Sequence, residues 1–263
     1  MGGPFFLSLT EVDILAQLLG ANVRQFPFQI PSVGRLQVDR TRIAREVFAD
    51  LGRRGLIRGR DVDPDLERAM RTLSEPVIAV AVLGTVNERE EIYARASAAG
   101  ETGVLARLIG QKMRIELIRP TALAVSLVGL LPKLDGGPGQ SVTINRPGAP
   151  VPVRAGADQG GDQSLFRPVS GSGGVDQRLR LAASYLNRPR TGTGFFAVSG
   201  RDRHGREQRA GGLTWMDTDA GRYLSLSRPP AEDGSVSSTF SPADNNRLVH
   251  ALGEMIESVA PRR

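Results

Sequence analysis

The chain reads the same way twice, and that repetition constrains its fold more than any other feature. Apolar spacing gives each half a helix, four strands and a second helix. In the first half Asp63-Pro64 opens a helix, with Asp63 as cap, Pro64 in the first turn, and Leu66, Met70 and Leu73 on the inner face. Strands follow at 77–85, 92–99, 104–109 and 113–118. They are separated by the charged patch Asn87-Glu88-Arg89-Glu90-Glu91, by Gly100-Glu101-Thr102-Gly103 and by Gly110-Gln111-Lys112. In the second half a helix over 176–187 precedes strands at 194–199, 208–216, 222–227 and 235–240. A polar hairpin, Arg201-Asp202-Arg203-His204-Gly205, and a turn over 217–221 join them. Each last strand runs into a proline that starts a helix, Pro120 in one half and Pro242 in the other. Such a repeat predicts an α+β fold: one central antiparallel β-sheet with two helical bundles, in pseudo-two-fold duplicated halves. Chance similarity of two α+β halves is the alternative.

Other segments surround the repeat. Residues 5–8 read as a short strand. Thr10 can cap the helix that follows, with Asp13 in the capping-box position and a stripe of Val12, Ile14, Leu15, Leu18 and Leu19. Ile43, Val47, Phe48 and Leu51 mark a helix over 39–54. Residues 135–174 are dominated by Gly, Pro, Ser, Gln and Asp and read as an irregular linker. Within it Ser141-Val142-Thr143-Ile144 reads as a short strand and Leu165-Phe166 as an anchor to the core. The closing helix begins at Ser241-Pro242-Ala243-Asp244 and carries Leu248, Leu252, Met255, Ile256 and Val259. The expected organisation is one domain over 1–263, made of an N-terminal half 1–134, a linker 135–174 and a C-terminal half 175–260.

Composition excludes several function classes. There is no cysteine, which removes disulfides, thiol catalysis and thiolate metal sites. No apolar run is long enough to span a membrane, and the N-terminus has no basic segment of a secretory signal, so the expected location is the cytoplasm. The formal net charge is +6. Lysine occurs only at Lys112 and Lys133, so nearly all the positive charge is arginine, scattered rather than massed in a tail. A nucleic-acid-binding regulator is the alternative function that this balance suggests, although scattered charge is the mark of a solvated surface.

Motifs for chemistry are missing. His204 and His250 lack partners at metal-ligand spacing. The pieces Gly136-Gly137-Pro138-Gly139 and Gly171-Ser172-Gly173-Gly174 do not have the form of a phosphate-binding loop. Asp217 and Asp219 flank a turn that could hold Ca²⁺, but Asx-rich turns are usually turns alone. The expectation is a protein that is not an enzyme and has no cofactor. Phe195 and Phe196 are adjacent on a strand, so their side chains face opposite ways. With Trp215 and Met216 they form either core or an exposed aromatic surface suited to protein binding.

The order of segments resembles the EspG family of type VII (ESX) secretion chaperones of actinobacteria. The residues that carry the likeness are Leu9-Thr10-Glu11-Val12-Asp13-Ile14-Leu15, Phe26-Pro27-Phe28 before Ile30-Pro31-Ser32, Asp63-Pro64-Asp65-Leu66, and the segments 195–206, 215–223 and 241–242. The resemblance implies a single EspG-like domain and a cytosolic chaperone without cofactor. It would bind the helical tip of a secreted PE–PPE heterodimer, keep it soluble and direct it to export, as monomer or homodimer, with no nucleic acid. The family's binding surface involves the sheet, its loops and the C-terminal helices. In this chain that points to Asn87, Glu88, Arg89 and Glu90 in the charged loop and to Phe196, Val198, Trp215 and Met216 on the sheet.

Overall fold

The computed structural model describes residues 3–59, 61–146, 180, 183–185, 187–228 and 235–261. The first helical region holds strand β1 (Phe5–Ser8), helices α1 (Leu9–Leu19) and α2 (Gln37–Arg53), a small ribbon of β2 (Ile57–Arg58) and β3 (Asp61–Val62), and α3 (Pro64–Ser74). A meander follows: β4 (Ile78–Val86), β5 (Glu90–Ala99), β6 (Thr102–Ile109) and β7 (Lys112–Ile118). A 3₁₀ turn at Pro120–Ala122 leads into α4 (Leu123–Val128). The second meander is β9 (Arg190–Arg201), β10 (Glu207–Thr218), β11 (Gly221–Ser227) and β12 (Val236–Pro242). Strand β8 (Val142–Arg146) precedes it and α5 (Asn245–Val259) closes the chain.

Among the described residues ten strands form one sheet, ordered β1-β7-β6-β5-β4-β9-β10-β11-β12-β8. Neighbours run antiparallel throughout. Read outward from the β4–β9 junction, the order is the same in both directions: a four-strand meander, then one strand from upstream of that meander in the chain. Strand β8, from the segment expected to be a linker, therefore takes the place beside β12 that β1 takes beside β7. The expected strand at 141–144 exists, and it caps the sheet edge by pairing with β12. The expected anchor Leu165-Phe166 lies outside the described residues, as does most of the expected helix over 176–187, of which 180 and 183–185 are helical.

Helices cover the two faces differently. On one face α4 and α5 lie over the middle of the sheet, burying Val80, Val82, Ala94, Ala96, Phe196, Val198, Leu213 and Trp215. The Trp215 indole is fully buried and packs on Phe196 with ring centroids 5.1 Å apart. Gly84 and Gly194, paired across β4 and β9, make room for it. A Cβ at Gly194 would lie 2.2 Å from the indole ring, and one at Gly84 2.7 Å. On the opposite face α1, α2 and α3 cover β1, β7 and β6 through Leu7, Leu15, Leu66, Met70, Val104 and Met113. At the other end of that face Tyr185 stacks on Tyr223, 4.7 Å between centroids, beside Val142 and Met216.

Local chemistry sets the element boundaries. Ser8, not Thr10, caps α1. Its Oγ accepts the Glu11 N–H at 3.2 Å, and the Ser8 N–H donates to Glu11 Oε2 at 2.5 Å, a complete capping box. The chain turns from strand to helix two residues earlier than the expected cap, so Thr10 falls inside the first turn. Asp13 is thereby free for another task. It is buried, and Arg40 (2.8 Å), Arg24 and the Val33 N–H (3.1 Å) donate to its carboxylate, tying α1 to α2 and to the chain between them. Asp63 caps α3 ahead of Pro64, as expected. Asp244 caps α5 by accepting the Arg247 N–H at 2.8 Å. Pro242 accordingly ends β12 rather than starting the helix, so the match with Pro120 is looser than the sequence suggests.

The expected turn at 217–221 is shorter than predicted. Strand β10 continues through Thr218, and Asp217 points into the protein. Its carboxylate takes two bonds from the fully buried Arg222, from Nε at 2.5 Å and Nη2 at 2.9 Å. Arg222 also donates to Asn245 Oδ1 (2.7 Å) and to the Pro132 carbonyl (3.0 Å), locking β11 to the start of α5 and the end of α4. An aspartate spent on such a pair is unavailable as a Ca²⁺ ligand.

Candidate docking face

The middle of the sheet, on the side that carries α1, α2 and α3, is not roofed by any described helix. Antiparallel register defines its rows across β5, β4, β9 and β10. One row is Tyr93, Leu83, Phe195 and Thr214; the next is Arg95, Ala81, Ala197 and Gly212. Phe195, Ala197, Gly212 and Thr214 are exposed, and Leu83 and Tyr93 are half-buried. Phe195 is 39% exposed and Phe26, stacked on it at 5.8 Å, is 47% exposed. Two exposed rings in contact make an apolar spot of a kind that soluble surfaces seldom leave bare.

One end of this strip carries the charged loop. Asn87, Glu88, Arg89 and Glu90 are all exposed at the tip of the β4–β5 hairpin. Asn87 and Glu88 adopt left-handed backbone with φ of 49° and 66°. The Glu88 N–H donates to the Thr191 carbonyl at 2.6 Å, which binds the tip to β9. Glu90, the first residue of β5, pairs with Arg107 at 3.0 Å. The other end is a cleft of about 450 Å³ bordered by the loop over 22–26 and the β9–β10 hairpin. Arg95 stands in it, donating to the Phe26 carbonyl (2.9 Å) and Gln25 Oε1 (2.7 Å). Burial pulls its guanidinium down to about 10 against the opposing field of Glu207, so it stays charged at neutral pH.

The eight residues expected from sequence divide evenly. Asn87, Glu88, Arg89 and Glu90 sit together at the strip's end. Phe196, Val198, Trp215 and Met216 are buried within the chain itself. The first three lie beneath α4 and α5, and Met216 lies beside Tyr185 and Tyr223. For Phe196, Val198 and Trp215 the reason is strand parity: the residues on the open face are their neighbours Phe195, Ala197 and Thr214, whereas Met216 shares that face with Thr214 and is covered by Tyr185, Tyr223 and Val142. Phe26 enters the sequence reading only as part of the Phe26-Pro27-Phe28 likeness, and Arg95 not at all; neither stands out as a site residue. The Phe195-Phe196 pair did signal that one ring faces outward, but not which.

No group of three or more metal-ligating side chains occurs among the described residues, and no described helix is long and apolar enough to cross a membrane. His204 lies in the exposed β9–β10 loop, where Asp202 Oδ1 accepts its backbone N–H at 2.8 Å. His250 lies on α5, 3.8 Å from Glu254. It borders a second groove of about 800 Å³ between α5 and β11–β12.

The described residues thus form an α+β protein, an antiparallel sheet of two matching meanders with an open, partly aromatic strip on one face. A family model described as the EspG family matches residues 8–254, and the chain belongs to that family. Its fold is similar to a solved structure of the Mycobacterium tuberculosis type VII secretion system chaperone EspG5 in complex with the PE25–PPE41 dimer. The TM-score is 0.67 at 12% identity, over 98% of this chain and 97% of that one. None of the curated protein sequences matches this chain.

Proposed function

We propose that this protein is a cytosolic, non-enzymatic chaperone of a type VII (ESX) secretion system. It binds the helical tip of a PE–PPE-type heterodimer, keeps it soluble and directs it to export. Membership of the EspG family and the likeness to EspG5, solved with PE25–PPE41, support this reading. On this reading the chain is one EspG-like domain, with halves 1–134 and 175–260 joined by 135–174.

The observation that carries the proposal is the unroofed strip, with Phe195 and Phe26 at its centre and Asn87, Glu88, Arg89 and Glu90 at its end. Covering an apolar helical tip removes from both partners the surface that drives aggregation. The charged loop then adds discrimination, because a wrongly charged partner is rejected at the rim. A stable complex of this kind buries about 800 Å² on each partner, more than the aromatic pair alone supplies, so the strip and loop act together.

The test is co-expression with PE–PPE pairs followed by size-exclusion chromatography. The expected result is a stable complex that Phe195→Glu disrupts while the free chain still melts as wild type. Failure of every pair to co-elute would remove the reading. A gel shift at about 150 mM salt checks the nucleic-acid alternative, since binding by charge alone weakens steeply with salt.

A further inference from the structure

Two arginines of the sheet, the buried Arg222 and the partly buried Arg95, are treated differently by the fold. Arg222 has a carboxylate partner and neutral acceptors on every side. Arg95 has only two neutral acceptors, a backbone carbonyl and an amide oxygen. Its Nε is buried without a protein acceptor, and so is the Ser97 hydroxyl two residues along the same face of β5. No described carboxylate lies within ion-pairing distance of Arg95. Glu207, across the cleft, is engaged with Arg209 at 3.0 Å. Arg201 and Arg209 also border the cleft, so its lining is net positive. A partly buried cation without a counter-ion is unfavourable in the free protein, and such groups concentrate where a ligand supplies the missing charge.

We infer that the Arg95 cleft receives an aspartate or glutamate side chain of the protein docked on the strip, while an apolar neighbour of that residue lies on the Phe26–Phe195 pair. This rests on the proposed function for the partner's helical shape, and on the cleft's own charge for the acid. The spacing fits. Arg95 and Phe195 lie two strands apart, in rows about 7 Å apart along the strands, but the long Arg95 side chain reaches across to donate to the Phe26 carbonyl, which places its guanidinium within one residue of the Phe26 ring. One turn of a helix advances about 5.4 Å, so an acid and an apolar residue three or four positions apart reach both sites. The guanidinium has N–H groups to spare for a carboxylate at both terminal nitrogens, each of which makes a single bond within the protein. Bonds of this charged kind are the strong ones.

A library of random 12-residue peptides, panned on the full chain and on Arg95→Met and Arg95→Lys, tests the inference without a known partner. Wild-type binders should carry Asp or Glu three or four positions from a large apolar residue. In one such peptide made synthetically, Glu→Gln should weaken binding to the wild type about tenfold and leave binding to Arg95→Met unchanged. Arg95→Lys, which keeps the charge, should retain part of the preference, and thermal melts confirm that both variants fold. Selection of no peptides, selection without acids, or a Glu→Gln effect that survives in Arg95→Met would overturn the proposal. So would a 12-nucleotide DNA competing for the same site, since phosphate would then be the ligand. The two readings fail separately. A PE–PPE pair that binds wild type and Arg95→Met equally sinks the acid-binding cleft and leaves the chaperone. An acid preference without any PE–PPE capture does the reverse.

Discussion

Phe195 and Phe196 are neighbours on β9, yet they belong to different regions of the molecule. Phe196 lies under α4 and α5 against Trp215, in the most closely packed part of the sheet. Phe195 lies on the opposite face, where the described helices stop short and the exposed Phe26 ring stacks on it. The strands are the same, and both faces carry large apolar side chains, Phe196 and Trp215 on one and Leu83 and Phe195 on the other. What separates core from docking face is where the helices land: α4 and α5 over the centre on one side, α1 to α3 over the β1 end on the other. A large apolar side chain on a strand is therefore not evidence of burial until its roof is known.

That contrast can be broken or sharpened by mutation. The largest effect belongs to the roofed face. Trp215→Ala should cost about 4 kcal/mol in urea denaturation, because the shelf formed by Gly84 and Gly194 leaves a cavity that neighbours do not fill. A loss under about 1 kcal/mol would mean that the indole is not the keystone of that face. Gly194→Ala should also destabilise, but less in the Trp215→Ala background, where the clashing ring is gone; equal costs in both backgrounds would contradict the close approach.

Next comes Asp217→Ala, which strands the buried Arg222 at the β10–β11 turn. The expected cost is about 3 kcal/mol, read from the midpoint of thermal or urea unfolding.

Asp13 should give a smaller, pH-dependent effect. Burial raises its pKa, but hydrogen bonds from Arg40, the Val33 N–H and Arg24 outweigh burial and hold it below the ordinary 3.8. A carboxylate lowered in the folded state contributes stability above its unfolded pKa and loses that stability as pH falls through the folded value. Wild-type stability should thus decline below about pH 4. Asp13→Asn should be about 2 kcal/mol less stable at pH 7 and show a shallower acid slope. Parallel slopes for the two proteins would show that Asp13 is not the titrating group.

Phe195→Ser should change stability least, within about 0.5 kcal/mol, while weakening partner binding at least about tenfold. A large stability loss would move Phe195 from the docking face into the core and erase the contrast.

The strip was half-legible beforehand. Asn87, Glu88, Arg89 and Glu90 stood out because a charged run between two apolar strands has to be an exposed turn. Phe196, Val198 and Trp215 prove buried because period-2 alternation gives two faces without saying which is covered, and Met216 because Tyr185, Tyr223 and Val142 close over it. Neither Arg95 nor Phe26 stands out in the sequence as a site residue. Each matters only because a loop from residues 22–26 lies over a strand some seventy positions later.

By itself the sequence determined the repeat, the antiparallel meanders and the cap at Asp63. These depend on local spacing and on hydrogen bonds a few residues long, which a linear pattern records. Tertiary structure alone decided that β8 closes the sheet edge opposite β1, that Asp217 answers Arg222 rather than a cation, and that one face stays open beside an arginine without a counter-ion. Those outcomes arise from contacts between segments far apart in the chain, and the free energy of such contacts depends on packing geometry that no stretch of residues encodes alone.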